Sequence, residues 1–164
     1  MEGVWYQSGI KGIGGAVGDV VSYMQMTIEK RKRKESIVFG TSAGGYAAIL
    51  FGVLAGVDVV HAFGPQTIIG KMNNEPEEYA MATKKLITYS NKKYWDLKSV
   101  LKENNNQKTK IIIHVGSQHK RDMYHAQRLS GFQNVEIRAY DTQAHNIAKY
   151  LRDKDLLLDV LEHF

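Results

Sequence analysis

The chain has 164 residues and a mass of 18.5 kDa, the length of one domain. Its 43% apolar and 24% charged residues are the usage of a globular chain and exclude a disordered one. With no cysteine, disulfides, thiol nucleophiles and cysteine-ligated metal centres are excluded, and the net charge of +5 leaves an acidic partner open.

The opening Met1-Glu2-Gly3-Val4-Trp5 has no basic region followed by an apolar core, so no secretory signal is expected. Residues 4–7 read as a short first strand, followed by the glycine-rich loop Gly9-Ile10-Lys11-Gly12-Ile13-Gly14-Gly15. That loop lacks the Lys-Ser/Thr ending of a phosphate cradle. Residues 17–33 are helical in pattern, with Val20, Val21, Met24 and Ile28 at three- and four-residue spacing. It ends in Lys30-Arg31-Lys32-Arg33-Lys34, which holds much of the positive excess. Cations suit the negative end of a helix, and no aromatic residue interleaves the run. No nucleic-acid partner is expected.

Residues 36–57 carry no formal charge, and by length alone they would span a membrane. Their interior, Gly40-Thr41-Ser42-Ala43-Gly44-Gly45, fits a transmembrane helix poorly. A buried strand (37–39), a tight turn and a buried helix (45–54, stopped at Gly56) account for the residues better. A soluble, cytoplasmic domain without membrane contact is the expectation. Residues 57–63 are the third strand, broken by Gly64-Pro65, and residues 73–102 read as two helices with charged faces. After the polar loop at 104–107, residues 110–115 contain Ile111-Ile112-Ile113, a run suited to a parallel strand buried on both faces. A helix at 121–129, a strand at 135–140 and a last helix at 147–164 complete the chain.

This alternation predicts an α/β fold: a mostly parallel sheet of about five strands flanked by helices, in a single domain. Sites in such folds lie at the carboxyl ends of the strands, which selects the residues after Phe39, Phe63, Val115 and Tyr140.

Gly40-Thr41-Ser42-Ala43-Gly44 satisfies G-x-S-x-G between a predicted strand and a predicted helix. A serine on such a turn exposes its hydroxyl above the sheet, and small neighbours (Gly40, Gly44, Gly45) let the backbone pass. The Ala43 N–H, at the start of the helix, lacks an intrahelical partner and can face an anion. The competing account is a glycine turn that serves only close helix–sheet packing. A serine needs a base and the base an orienting acid. His145 follows the last strand and Asp122 the strand before it, and the order Ser42, Asp122, His145 suits this motif.

The chain resembles the α/β-hydrolases, and among them short esterase-like enzymes with a GxSAGGY elbow. Thr41-Ser42-Ala43-Gly44-Gly45-Tyr46 carries the elbow, the stretch from Gly116 to Asp122 with the following helix the acid loop, and His145-Asn146 the histidine turn. The resemblance spans roughly residues 4 to 164. It implies hydrolysis of a small-molecule or saccharide acyl ester through a seryl acyl-enzyme, or acyl transfer by the same residues, with no metal or organic cofactor. It departs from the full eight-stranded pattern in lacking a His-Gly pair and the early strands. The sheet is then reduced, or N-terminally incomplete and completed by a preceding segment, a partner or a further copy of the chain. The second oxyanion donor is unassigned, with a backbone N–H near Tyr6 or Gln7 as the candidate. Residues 68–102 stand where such enzymes carry a cap; their Met72, Tyr79, Met81, Tyr89, Tyr94 and Trp95 suit a pocket or, more simply, the core.

Other residues compete for roles. Asp141 is the alternative acid, though an aspartate there also ends a strand and caps a turn. His119 and His125 flank Asp122 without a third convergent metal ligand. His61 and His114 lie within strands and read as core residues, and His163 as exposed. Gln66 and Thr67, after the third strand, are candidate substrate-rim residues beside a simple proline turn; Tyr6 and Gln7 are the others. The rival reading by class is a non-catalytic binding or assembly module.

Overall fold

A computed structural model describes residues 5–31, 35–69, 91–104 and 108–162. Val4, residues 32–34 of the basic run, residues 70–90 (with Met72, Tyr79, Met81 and Tyr89) and His163 lie outside the described residues. In chain order the elements are α1 (Val17–Arg31), β1 (Ile37–Thr41), α2 (Ala43–Ala55) and β2 (Val59–Phe63). There follow a 3₁₀ turn (Lys92–Tyr94), α3 (Leu97–Asn104), β3 (Lys110–Gly116), α4 (Lys120–Gln127), β4 (Val135–Tyr140), α5 (Ile147–Arg152) and α6 (Leu157–Glu162). The four strands form one parallel sheet in the order β1-β2-β3-β4. The α/β class predicted from the alternation is thus the observed one.

Parallel strands cannot be joined by hairpins, so helices must cross between them. The helix α2 links β1 to β2, α3 precedes β3, and α4 links β3 to β4. Every residue of the central β2 is buried, as is Ile111-Ile112-Ile113 in β3, the pattern of strands covered on both faces. On one face Val60, Ala62, Ile111, Ile113 and Val115 pack with Ile49, Leu50 and Val53 of α2 and with Leu97 and Val100 of α3. On the other, Phe63 packs with Ile147 and Leu151 of α5. The edge strand β1 is different: Ile37 is 42% and Phe39 65% exposed. Among the described residues it pairs with β2 alone.

Two expected elements differ. Residues 5–8 are a turn, not a first strand; Trp5 (φ 47) and Tyr6 (φ 63) are both in the left-handed region, which cannot lie in a ladder. The single last helix is two, broken at Asp155 (φ 58), where the Leu156 N–H reaches back to the Leu151 carbonyl at 2.9 Å. An aspartate tolerates that conformation better than most residues. Within the segment expected to resemble a cap, Ile68 and Ile69 are buried, and Trp95, Leu97 and Leu101 belong to the core. Among the described residues, no helix is long and apolar enough to cross a membrane.

Candidate active site

The loops after the four strands bring the predicted residues to one end of the sheet. Ser42 stands between the last residue of β1 and the first of α2, with φ 52 and ψ −118. A left-handed conformation at a non-glycine residue costs roughly 1–3 kcal/mol and persists only where its surroundings fix it. Here the Ser42 N–H donates to the Phe63 carbonyl at 2.8 Å, and its own carbonyl accepts from Tyr46 N at 3.1 Å. Gly40 is required by sterics, since a β-carbon there would lie 2.1 Å from the Gly44 carbonyl oxygen. At Gly45 a β-carbon would lie 3.1 Å from that of Pro65, whereas the space at Gly44 is open. The Ala43 N–H begins α2 and so has no partner in the helix's own ladder.

His145, on the loop between β4 and α5, joins Ser42 to Asp122. Its Nε2 lies 3.0 Å from Ser42 Oγ, and its Nδ1 2.8 Å from Asp122 Oδ2. The three residues follow three different strands, and 103 positions separate Ser42 from His145. Asp122 sits in the first turn of α4 and is fully buried. Burial raises its pKa from the ordinary carboxylate value, opposed by the His145 hydrogen bond and by the charges of His145, His119 and Arg121. With an aspartate on Nδ1, the neutral imidazole keeps its proton there and leaves Nε2 free to accept one from the serine. Such a chain of hydrogen bonds can move a proton off a hydroxyl as that hydroxyl attacks an electrophile.

Asp141 does not take this place; its carboxylate accepts from the Gln118 side chain at 2.7 Å. The two histidines flanking Asp122 are separated by the fold. His119 caps α4, its Nδ1 accepting the Asp122 N–H at 3.2 Å, and its ring centre is 5.4 Å from that of His145. His125 is fully buried and accepts the Thr67 N–H at 3.2 Å. Ligand-type atoms of His119, Asp122 and His145 lie within 4.8 Å of one another. His145 thus supplies the third convergent group missing from the sequence reading, but the His119 lone pair is already engaged by a backbone donor.

The rim candidates divide. Gln66 is buried, and its Nε2 lies 3.4 Å from Ser42 Oγ. Thr67 is fully buried and does not reach the rim; its hydroxyl donates to the His125 carbonyl at 2.9 Å, and Arg128 donates to its carbonyl oxygen at 3.2 Å. Gln7 also points inward, donating to the Tyr46 hydroxyl at 2.9 Å, which in turn donates to the Tyr94 carbonyl. Tyr6, 38% exposed, borders a groove of about 330 Å³ with Phe39, Gly40 and Gly44.

Two glycines named in the sequence for other reasons also shape the site. Gly64 (φ 54) looked like a strand breaker, yet a β-carbon there would lie 2.9 Å from the His145 carbonyl oxygen and 3.1 Å from Asp122 Oδ2. Gly116 ends β3, where a β-carbon would come within 2.5 Å of the Thr142 carbonyl oxygen. A glycine directly after a strand was the only available signal. Compared with known proteins, the chain matches no family model and no curated sequence.

Proposed function

We propose that this chain is a serine hydrolase of the α/β-hydrolase type that cleaves an ester or related acyl bond. The observation that carries the reading is the Asp122–His145–Ser42 chain of contacts at 2.8 and 3.0 Å, with the serine on a left-handed strand-to-helix turn. Ser42 Oγ attacks the carbonyl carbon while His145 Nε2 takes its proton. The carbonyl π electrons move to oxygen, where the Ala43 N–H stabilises the anion. Collapse breaks the bond to the leaving group, which receives the proton from His145. Asp122 holds the imidazole in the required tautomer and stabilises its charged form. Water, or a sugar hydroxyl in the transfer version, then repeats the sequence on the acyl-enzyme, and no cofactor enters.

The test is steady-state turnover of activated acyl esters of graded chain length. Wild type should turn over a short ester, and Ser42→Ala and His145→Ala should each lose roughly 10⁴-fold or more in kcat. Unchanged turnover in either variant overturns the mechanism. A second reading, an assembly module whose sheet a partner or second copy extends, draws on the exposed β1 with Ile37 and Phe39. A stable, active monomer in size-exclusion chromatography speaks against it.

A further inference from the structure

Beside the nucleophile stands a buried carboxamide that the described residues leave poorly satisfied. Gln66 is 3% exposed; among the described residues its Nε2 makes one long hydrogen bond, to Ser42 Oγ at 3.4 Å, and its buried Oε1 has no partner. A buried polar group so poorly satisfied is a liability that an apolar side chain of similar volume would remove. The loop carrying it is nonetheless firmly placed. Pro65 packs against the backbone at Gly45, and Thr67 is held by His125 and by Arg128, which also pairs with Asp96 at 3.0 Å. The amide is therefore delivered to Ser42 by a fixed segment.

The geometry assigns Gln66 as a fourth catalytic residue: its amide aims Ser42 Oγ and supports that oxygen when it leaves. The inference rests on the hydrolase reading above. A hydroxyl oxygen has four directions, namely its carbon, its proton and two lone pairs. Ser42 spends the proton on His145 Nε2, because Asp122 commits Nδ1 as the donor on the other side of the ring. Oγ can then only accept from residue 66, which turns the amide so that Nε2 faces it. With one lone pair held there, a single lone pair is left for the carbonyl carbon.

The two half-reactions use this donor differently. In acylation Oγ is the nucleophile, and the amide fixes its direction. In deacylation the acceptor's O–H gives its proton to His145 and its oxygen bonds to the acyl carbon. The carbon–Oγ bond then breaks with its electron pair passing to Oγ. The Gln66 N–H carries part of that charge until His145 returns the proton. Its loss should therefore weigh more on deacylation than on acylation.

The experiment is stopped-flow release of nitrophenol from 4-nitrophenyl acetate, with fluorophosphonate labelling in parallel, on wild type, Gln66→Ala, Gln66→Met and Gln66→Glu. Circular dichroism checks each fold, and the methionine keeps the volume. The Ala and Met variants should deacylate roughly ten- to a hundredfold more slowly, with a smaller loss in the burst phase and a KM that falls along with kcat. In Gln66→Glu the carboxylate competes with His145 for the serine proton. Labelling at neutral pH should fall below that of the Ala variant. Wild-type rates for both half-reactions in Gln66→Met, with wild type itself reactive, overturn this inference alone. Wild type giving neither burst nor label removes the hydrolase reading, and this inference with it.

Discussion

Gly64 and His145 are packed so closely that a β-carbon on the first would lie 2.9 Å from the carbonyl oxygen of the second. The same β-carbon would lie 3.1 Å from Asp122 Oδ2, so the space beside the acid–histidine pair is closed to any side chain. Gly64→Ala should accordingly act on the site more than on the fold. The left-handed φ adds roughly 1–2 kcal/mol of strain, a melting-temperature loss of about 2–8 °C. Turnover should fall roughly a hundredfold as His145 is displaced. Parallel melting and kcat measurements check it; a full loss of stability with normal specific activity would count against the packing account.

Asp122→Asn keeps the side chain's shape but offers a donor as well as an acceptor to His145 Nδ1. Under the proposed mechanism the wrong tautomer is then favoured, and kcat/KM should drop by about 10⁴. Asp141→Asn, whose carboxylate meets Gln118 instead, should stay within about threefold of wild type. Equal losses in the two variants would mean that the acid has been misassigned.

Among the described residues three histidines are buried, and they should make the fold sensitive to acid. Burial is the first cause lowering His61 to about 4 and His114 and His125 to about 3, from 6.5. The unfolded chain therefore takes up protons before the folded one does. Stability contributed by these groups is complete above pH 6.5 and declines as pH falls toward about 4, by up to about 1.4 kcal/mol per unit at each site. Thermal melts between pH 7.5 and 4 should follow this slope. His114→Phe keeps a ring in the stack with Phe63 (4.4 Å between centres) and Tyr140 (6.0 Å), and should flatten it. A melting temperature constant across that range would contradict the prediction.

The glycines of the G-x-S-x-G motif should not respond alike. Gly40→Ala forces a β-carbon against the backbone at Gly44 and should cost about 3 kcal/mol. Gly44→Ala adds a methyl group to open space near the start of α2 and should stay within about 1 kcal/mol of wild type. Chemical denaturation of both variants separates them.

Much of this was legible in the sequence because it rests on local patterns. The run Ile111-Ile112-Ile113 announced a buried parallel strand, Gly56 the end of α2, and residues 135–140 the last strand. The segments bearing Ser42, Asp122 and His145 could be located because each follows such a strand. What stayed hidden depends on contacts between distant segments. Gln7 looked like a rim residue until Tyr46, 39 positions away, drew it inward. Thr67 looked the same until His125 and Arg128 closed over it. The turn at Trp5 and Tyr6 defeated a strand reading because aromatic residues favour strands and seldom take a left-handed φ. The break at Asp155 escaped notice because the apolar spacing continues through it into α6.

The central claim is that Ser42 is activated by His145, and covalent capture tests it most directly. Wild type, Ser42→Ala and His145→Ala would be treated with a fluorophosphonate probe and weighed intact. The chain has no cysteine, so thiol adducts cannot confuse the result. The account predicts a single adduct on wild type, absent from Ser42→Ala and formed at least a hundredfold more slowly by His145→Ala. An unlabelled, folded wild type, or equal labelling of all three proteins, would contradict it.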